Sequence, residues 1–134
     1  MTLELQIYER TLTPGKKAWQ QKLIGHIVIQ NDTSLFRFGR NSQTRVFIPR
    51  INSYPFISEE QGNFSGEGTE YIFVPRGASG VSLRKRFRFW ILDFGIKETM
   101  LDKNVGIQVQ QGDQFISRDK TARKEIVIEV VRIF

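Results

Sequence analysis

Two features of the sequence predict an all-β fold. Apolar residues alternate with polar ones at a period of two, and turn-forming residues break that alternation at short intervals. The 134 residues also contain 11 Phe against 2 Met. Phe suits a pleated, half-buried surface and fills a core with few rotamers.

The elements follow in order. Leu3, Leu5 and Ile7 alternate with polar residues until Thr13-Pro14-Gly15 breaks the run. Gly15 to Gln21 leaves room for one helical turn. Leu23 to Ile29 predicts a second strand, stopped by Asn31-Asp32, and Ser34 to Phe38 a third. Val46-Phe47-Ile48 is short and ends at Pro49. Gly62 to Gly68 reads as strand and turn, and Tyr71 to Val74 as strand. Pro75 to Gly80 is a turn rich in glycine and proline. Val81 to Leu92 predicts one long strand, with Phe87, Phe89 and Ile91 facing the core and Arg86, Arg88, Trp90 and Leu92 on the opposite face. Short strands at Gly106 to Val109 and Gln114 to Ser117 flank Gly112-Asp113, and Glu125 to Phe134 closes the chain. That makes about nine to eleven strands, the pattern of a sandwich or barrel. No repeat, low-complexity tract or linker divides the sequence, so residues 1–134 read as a single domain.

Composition narrows the function. A chain of this length buries roughly two-thirds of the surface its unfolded form exposes, enough for a real core. With no Cys, disulfides and thiolate metal sites are excluded, and one histidine, His26, cannot build a His-rich metal site. His26 lies inside an apolar strand and reads as a packed residue. No glycine-rich phosphate loop opens a helix, and Glu59-Glu60, as strand neighbours, would point to opposite faces. The expectation is a binding protein rather than an enzyme, without cofactor or metal. The start, Met1-Thr2-Leu3-Glu4-Leu5, lacks the pattern of a signal peptide, and no apolar stretch approaches the roughly 20 residues of a membrane span. The expected compartment is the cytoplasm. A net charge of +6 favours anionic partners.

Three segments, taken in order, carry a resemblance. The first is Phe36-Arg37-Phe38-Gly39-Arg40, a strand ending in Gly-Arg with the short Val46-Phe47-Ile48 strand beyond. The second is Ile57-Ser58-Glu59-Glu60-Gln61-Gly62-Asn63-Phe64. The third is Leu92-Asp93-Phe94-Gly95-Ile96-Lys97-Glu98-Thr99-Met100-Leu101, followed downstream by Val109-Gln110-Gln111-Gly112-Asp113-Gln114-Phe115. In this order they resemble the forkhead-associated (FHA) domain, a two-sheet β-sandwich that binds phosphothreonine peptides on loops at one end. The family's segments are Gly-Arg, Ser-x-x-His, Asp-x-Gly-Ser-x-Asn-Gly-Thr and Leu-x-x-Gly-Asp-x-Ile. The resemblance implies a protein partner, phosphorylated on Thr or simply acidic, held by Arg40, Ser58 and Thr99. The chemistry suits those residues, because a phosphate dianion needs several donors converging on a rim, at least one of them charged.

The departures mark a degenerate member. Gln61 stands where the family has His, which removes the ring that braces the loop. Ile96 replaces the Ser of the third segment. Glu98 replaces its Asn-Gly and would repel a phosphate; Asn104 lies nearby as a substitute. The stretch from Gly62 to Trp90 is longer than the family usually shows.

Two other functions stay open. One is a phosphate-independent structural or assembly subunit on the same fold. The other is a single-stranded nucleic-acid binder using Arg84, Lys85, Arg86 and Arg88, which interleave with Phe87, Phe89 and Trp90. Core Phe facing inward and Arg facing water is the simpler explanation of that segment. Lys16-Lys17 and the run from Arg118 to Lys124 read as solvated charge.

Overall fold

The computed structural model describes residues 2–15, 17–30, 36–39, 54–89, 91–121 and 123–134, with the side chains of 87–89, 93 and 94 outside that description. Arg40, the Val46–Ile48 segment and Trp90 lie outside the described residues, and so do the side chains of Phe87, Arg88 and Phe89.

The described residues hold ten strands and no helix: β1 (Thr2–Leu12), β2 (Trp19–Gln30), β3 (Phe36–Phe38), β4 (Gly62–Glu67), β5 (Glu70–Pro75), β6 (Ser82–Phe89), β7 (Leu92–Met100), β8 (Ile107–Gln108), β9 (Gln114–Arg118) and β10 (Lys124–Ile133). They form two antiparallel sheets, ordered β2-β1-β10-β9-β6-β7 and β3-β4-β5-β8. The fold is the predicted all-β sandwich.

Alternation builds the core as expected. Leu3, Leu5 and Ile7 of β1 have no exposed surface, and Ile126, Ile128 and Val130 of β10 face the same way. Aromatic rings join the layers. Phe73 of β5 lies 4.3 Å from Phe115 of β9 and 4.8 Å from Phe64 of β4, and Phe64 meets Phe115 edge-on at 5.5 Å. Offset and edge contacts of this kind are the arrangements the ring quadrupole favours. Tyr71 spans the sandwich by donating its hydroxyl to the Ile29 carbonyl at 3.2 Å.

Four expectations need correction. The predicted helical turn at Gly15 to Gln21 is a turn with Gly15 at φ +80, followed by strand from Trp19. His26 is not packed inward. It lies on the open face of β2, with Nε2 2.7 Å from a Glu4 carboxylate oxygen. The long strand from Val81 ends at Phe89, which pairs with Leu92 across a hairpin, so Ile91 sits at the reversal and is 93% exposed rather than in the core. The third segment of the resemblance is therefore not a loop but β7. Its register against β6 shifts between Arg86 and Arg88, beside Gly95 at φ +86. An extra residue of this kind is a β-bulge, and it breaks the period-two pattern that a linear reading assumes.

Strand directions decide which loops share an end. Phe38, Gly62 and Pro75 lie in one row across β3, β4 and β5, and Ser82 stands opposite Met100 across β6 and β7. The β3–β4, β5–β6 and β7–β8 connections therefore emerge at the same end of the sandwich.

Candidate functional site

Gln61 organises that end. It is fully buried at the start of β4. Its backbone N–H donates to the Phe38 carbonyl at 2.9 Å, and its carbonyl accepts from the backbone N–H of Arg76 and Gly77 at 3.0 and 3.1 Å. The side chain uses both ends. Oε1 accepts from the Ser58 N–H at 2.9 Å and from the Ser79 hydroxyl at 3.1 Å. Nε2 donates to the Gly80 carbonyl at 2.9 Å and to the Ser117 hydroxyl at 3.0 Å. A buried amide must find partners, and here three of the side-chain bonds tie down loops while the fourth reaches Ser117 of β9. The substitution of Gln for His does not cost the site its brace, because the amide serves that purpose.

Two glycines let the loops close up. A Cβ on Gly39 would overlap the Glu59 carbonyl, and one on Gly77 would overlap the Gln61 amide and press on the Ser58 hydroxyl. Ser58 and Ser79 thereby bring their hydroxyls to 3.4 Å of each other at the surface. On the same β5–β6 loop as Ser79, the exposed Arg76 donates from its guanidinium to Asn104 Oδ1 at 2.9 Å. Asn104 adopts φ +66 and donates its N–H to the Pro75 carbonyl at 2.8 Å, which pins the β7–β8 loop to the β5–β6 loop. The end of the sandwich thus presents the Ser58 hydroxyl, the Asn104 amide and the Arg76 guanidinium on braced loops, while the Ser79 hydroxyl gives its one proton to Gln61. Such donors suit an anion.

Of the residues singled out from the sequence, Ser58 lies in this cluster. Arg40 is outside the described residues; the residue before it, Gly39, packs on the Glu59–Glu60 backbone. Thr99 sits within the β6–β7 ladder opposite Leu83, and lines a groove with Lys97 and Leu101. Asn104 is in the cluster, and Arg76 and Ser79 were missed. Their signal in the sequence is the composition of Pro75 to Gly80, which by itself predicts only a turn.

Glu98 is not at the loop rim. It belongs to a ladder on the outer face of the six-stranded sheet. Both Arg118 guanidinium nitrogens bond its carboxylate, and Arg84 approaches at 3.2 Å. The hydrogen bonds from Arg118 hold the Glu98 carboxyl below its ordinary value and push the Arg118 guanidinium up. Arg118 also meets Glu125 at 2.9 Å, and Arg10 meets Glu125 at 2.7 Å. The predicted repulsion of a phosphate by Glu98 therefore has no geometric basis. Of the cations proposed for nucleic acid, Arg84 is taken up by Glu98, and Lys85 meets Asp113 Oδ1 at 2.9 Å. Arg86 is exposed.

By sequence, the chain matches no protein-family model and no curated protein. By structure, it superposes on an engineered FHA domain with a Myc-pTBD peptide at a TM-score of 0.53, with 18% identity over 93% of this chain and 91% of that one. It superposes equally, at 0.53, on the N-terminal FHA domain of Rad53p from S. cerevisiae, solved with a phosphothreonine peptide, with 14% identity over 94% and 92% of the two chains. The chain has the FHA fold. A second structure of the yeast Rad53 FHA1 domain agrees at 0.51, with 16% identity over 93% and 78%. Within this FHA sandwich the loop that meets Ser58 is Arg76–Gly80, whereas Leu92 to Met100 forms β7.

Proposed function

We propose that this FHA sandwich is a protein-interaction module that docks a phosphothreonine or acidic peptide on the loop end built around Ser58, Arg76, Ser79 and Asn104. The observation that carries the reading is that the Ser58, Arg76 and Ser79 loop positions all bond the one buried Gln61, with the Arg76 guanidinium exposed and bonded to Asn104. Recognition of a phosphorylated motif by an arginine-bearing rim is an established mode of peptide binding. Arg40 joins the proposal from its sequence position as a second charged donor; Thr99, in the β6–β7 ladder opposite Leu83, stands apart from it. The structural neighbours solved with phosphopeptides support the same reading. No reaction is assigned to the site.

The test is binding of the full chain to a phosphothreonine peptide library, with the unphosphorylated library as control. A hydrogen bond to a charged group contributes about 1.5–3 kcal/mol, so Arg76→Ala and Arg40→Ala should each weaken binding roughly ten- to a hundredfold. Ser58→Ala should do so less. Wild-type protein that binds no phosphothreonine peptide would leave a phosphate-independent assembly subunit as the reading.

A further inference from the structure

Strand β7 is one edge of the six-stranded sheet, and among the described residues only β6 pairs with it. Beyond the bulge its regular ladder runs from Ile96 to Met100. The two faces of this stretch differ in chemistry. On the outer face Ile96 and Met100 are 57% and 64% exposed, flanking Glu98, which is held by Arg118 and Arg84. On the inner face Lys97 and Thr99 line a groove of about 330 Å³ with Lys85, Gln108 and an apolar floor of Leu83, Leu101 and Ile107.

Lys97 stands directly opposite Lys85 in the ladder. Like charges so placed are destabilising. Lys85 turns away to Asp113 and Gln110, each at 2.9 Å, while Lys97 makes no ion pair among the described residues. Among the described residues the edge from Ile96 to Met100 therefore offers unpaired backbone, one uncompensated cation on one face, and two exposed apolar side chains on the other.

We propose that the β7 edge takes up an extended segment of a partner protein, with acidic residues on the Lys97 side and apolar residues on the Ile96 and Met100 side. Strand addition to a sheet edge draws affinity from main-chain hydrogen bonds and specificity from alternate side chains. A lysine on an edge discourages indiscriminate pairing, and the same charge selects an acidic strand. A second copy of this chain fits poorly. Two-fold pairing with full overlap of the ladder sets Glu98 against Glu98, and the register centred one residue earlier sets Lys97 against Lys97.

The site is separate from the loop end and does not depend on its function. The probe is a labelled synthetic peptide of alternating valine and glutamate, titrated into the full chain by fluorescence anisotropy. The wild type should bind it. Lys97→Glu, at an exposed position with its fold checked by circular dichroism, should weaken binding by about tenfold and create binding to the valine–lysine counterpart. Lys97→Gln should weaken it less. Excess phosphothreonine peptide should not displace the probe. Equal affinity of wild type and Lys97→Glu, displacement by phosphothreonine peptide, or a wild-type dimer broken by Lys97→Glu would each overturn the proposal.

Discussion

Gln61 donates from its side-chain amide to the hydroxyl of Ser117 at 3.0 Å, and this bond crosses from the four-stranded sheet to the six-stranded one. The same side chain holds Ser58, Ser79 and Gly80. The brace of the sandwich and the shape of the candidate site are thus one network.

Gln61→Ala should be more costly than its polarity suggests. It strands the buried Ser117 hydroxyl and the half-buried Gly80 carbonyl. An unsatisfied buried polar group costs about 1–3 kcal/mol. Urea unfolding should show a loss in or above that range. Amide exchange should quicken at Ser58 and Ser79. A loss of stability with unchanged exchange in these loops would separate the brace from the site.

Phe73 is the hub of the aromatic core, in contact with Phe38, Phe64 and Phe115. Phe73→Ala should cost about 3–5 kcal/mol through lost transfer energy and the cavity left behind. The readout is the shift of the urea midpoint at constant slope. A change below about 1 kcal/mol would mean that the two sheets do not meet at this ring.

Much of this core is legible in the sequence, because Leu3, Leu5 and Ile7 keep strict alternation and need no partner to be recognised. The β6–β7 hairpin is not. Its reversal carries the apolar Ile91, next to Leu92 of β7, rather than a glycine or proline, and the bulge beside Gly95 shifts the face that each later residue takes. The site was legible at Ser58, whose neighbours fix it locally. Arg76 and Ser79 acquire meaning only through Gln61, 15 and 18 residues away in sequence. Spacing cannot reveal a contact of that kind.

Acid should act through the outer ladder. The Glu98 carboxyl lies below its ordinary 4.5, first because Arg118 donates to it. Unfolding returns it to that ordinary value, so the unfolded chain takes up the proton first as pH falls. The stability it contributes is present above the ordinary value and is lost as pH falls through the lowered one. Glu98→Gln should therefore be less stable than wild type near neutral pH, and the two should converge in acid. A difference in unfolding midpoint that stays constant with pH would show that Glu98 ionisation contributes nothing.

Under the proposed function the loop end holds the phosphate, and amide shifts of the labelled full chain during titration with a phosphothreonine peptide selected from the library report on it. The largest changes should fall on Ser58, Gly77, Ser79 and Asn104, and Arg76→Ala should diminish them together. Changes centred on Arg84 to Arg86 of β6, with these four amides unmoved, would contradict it.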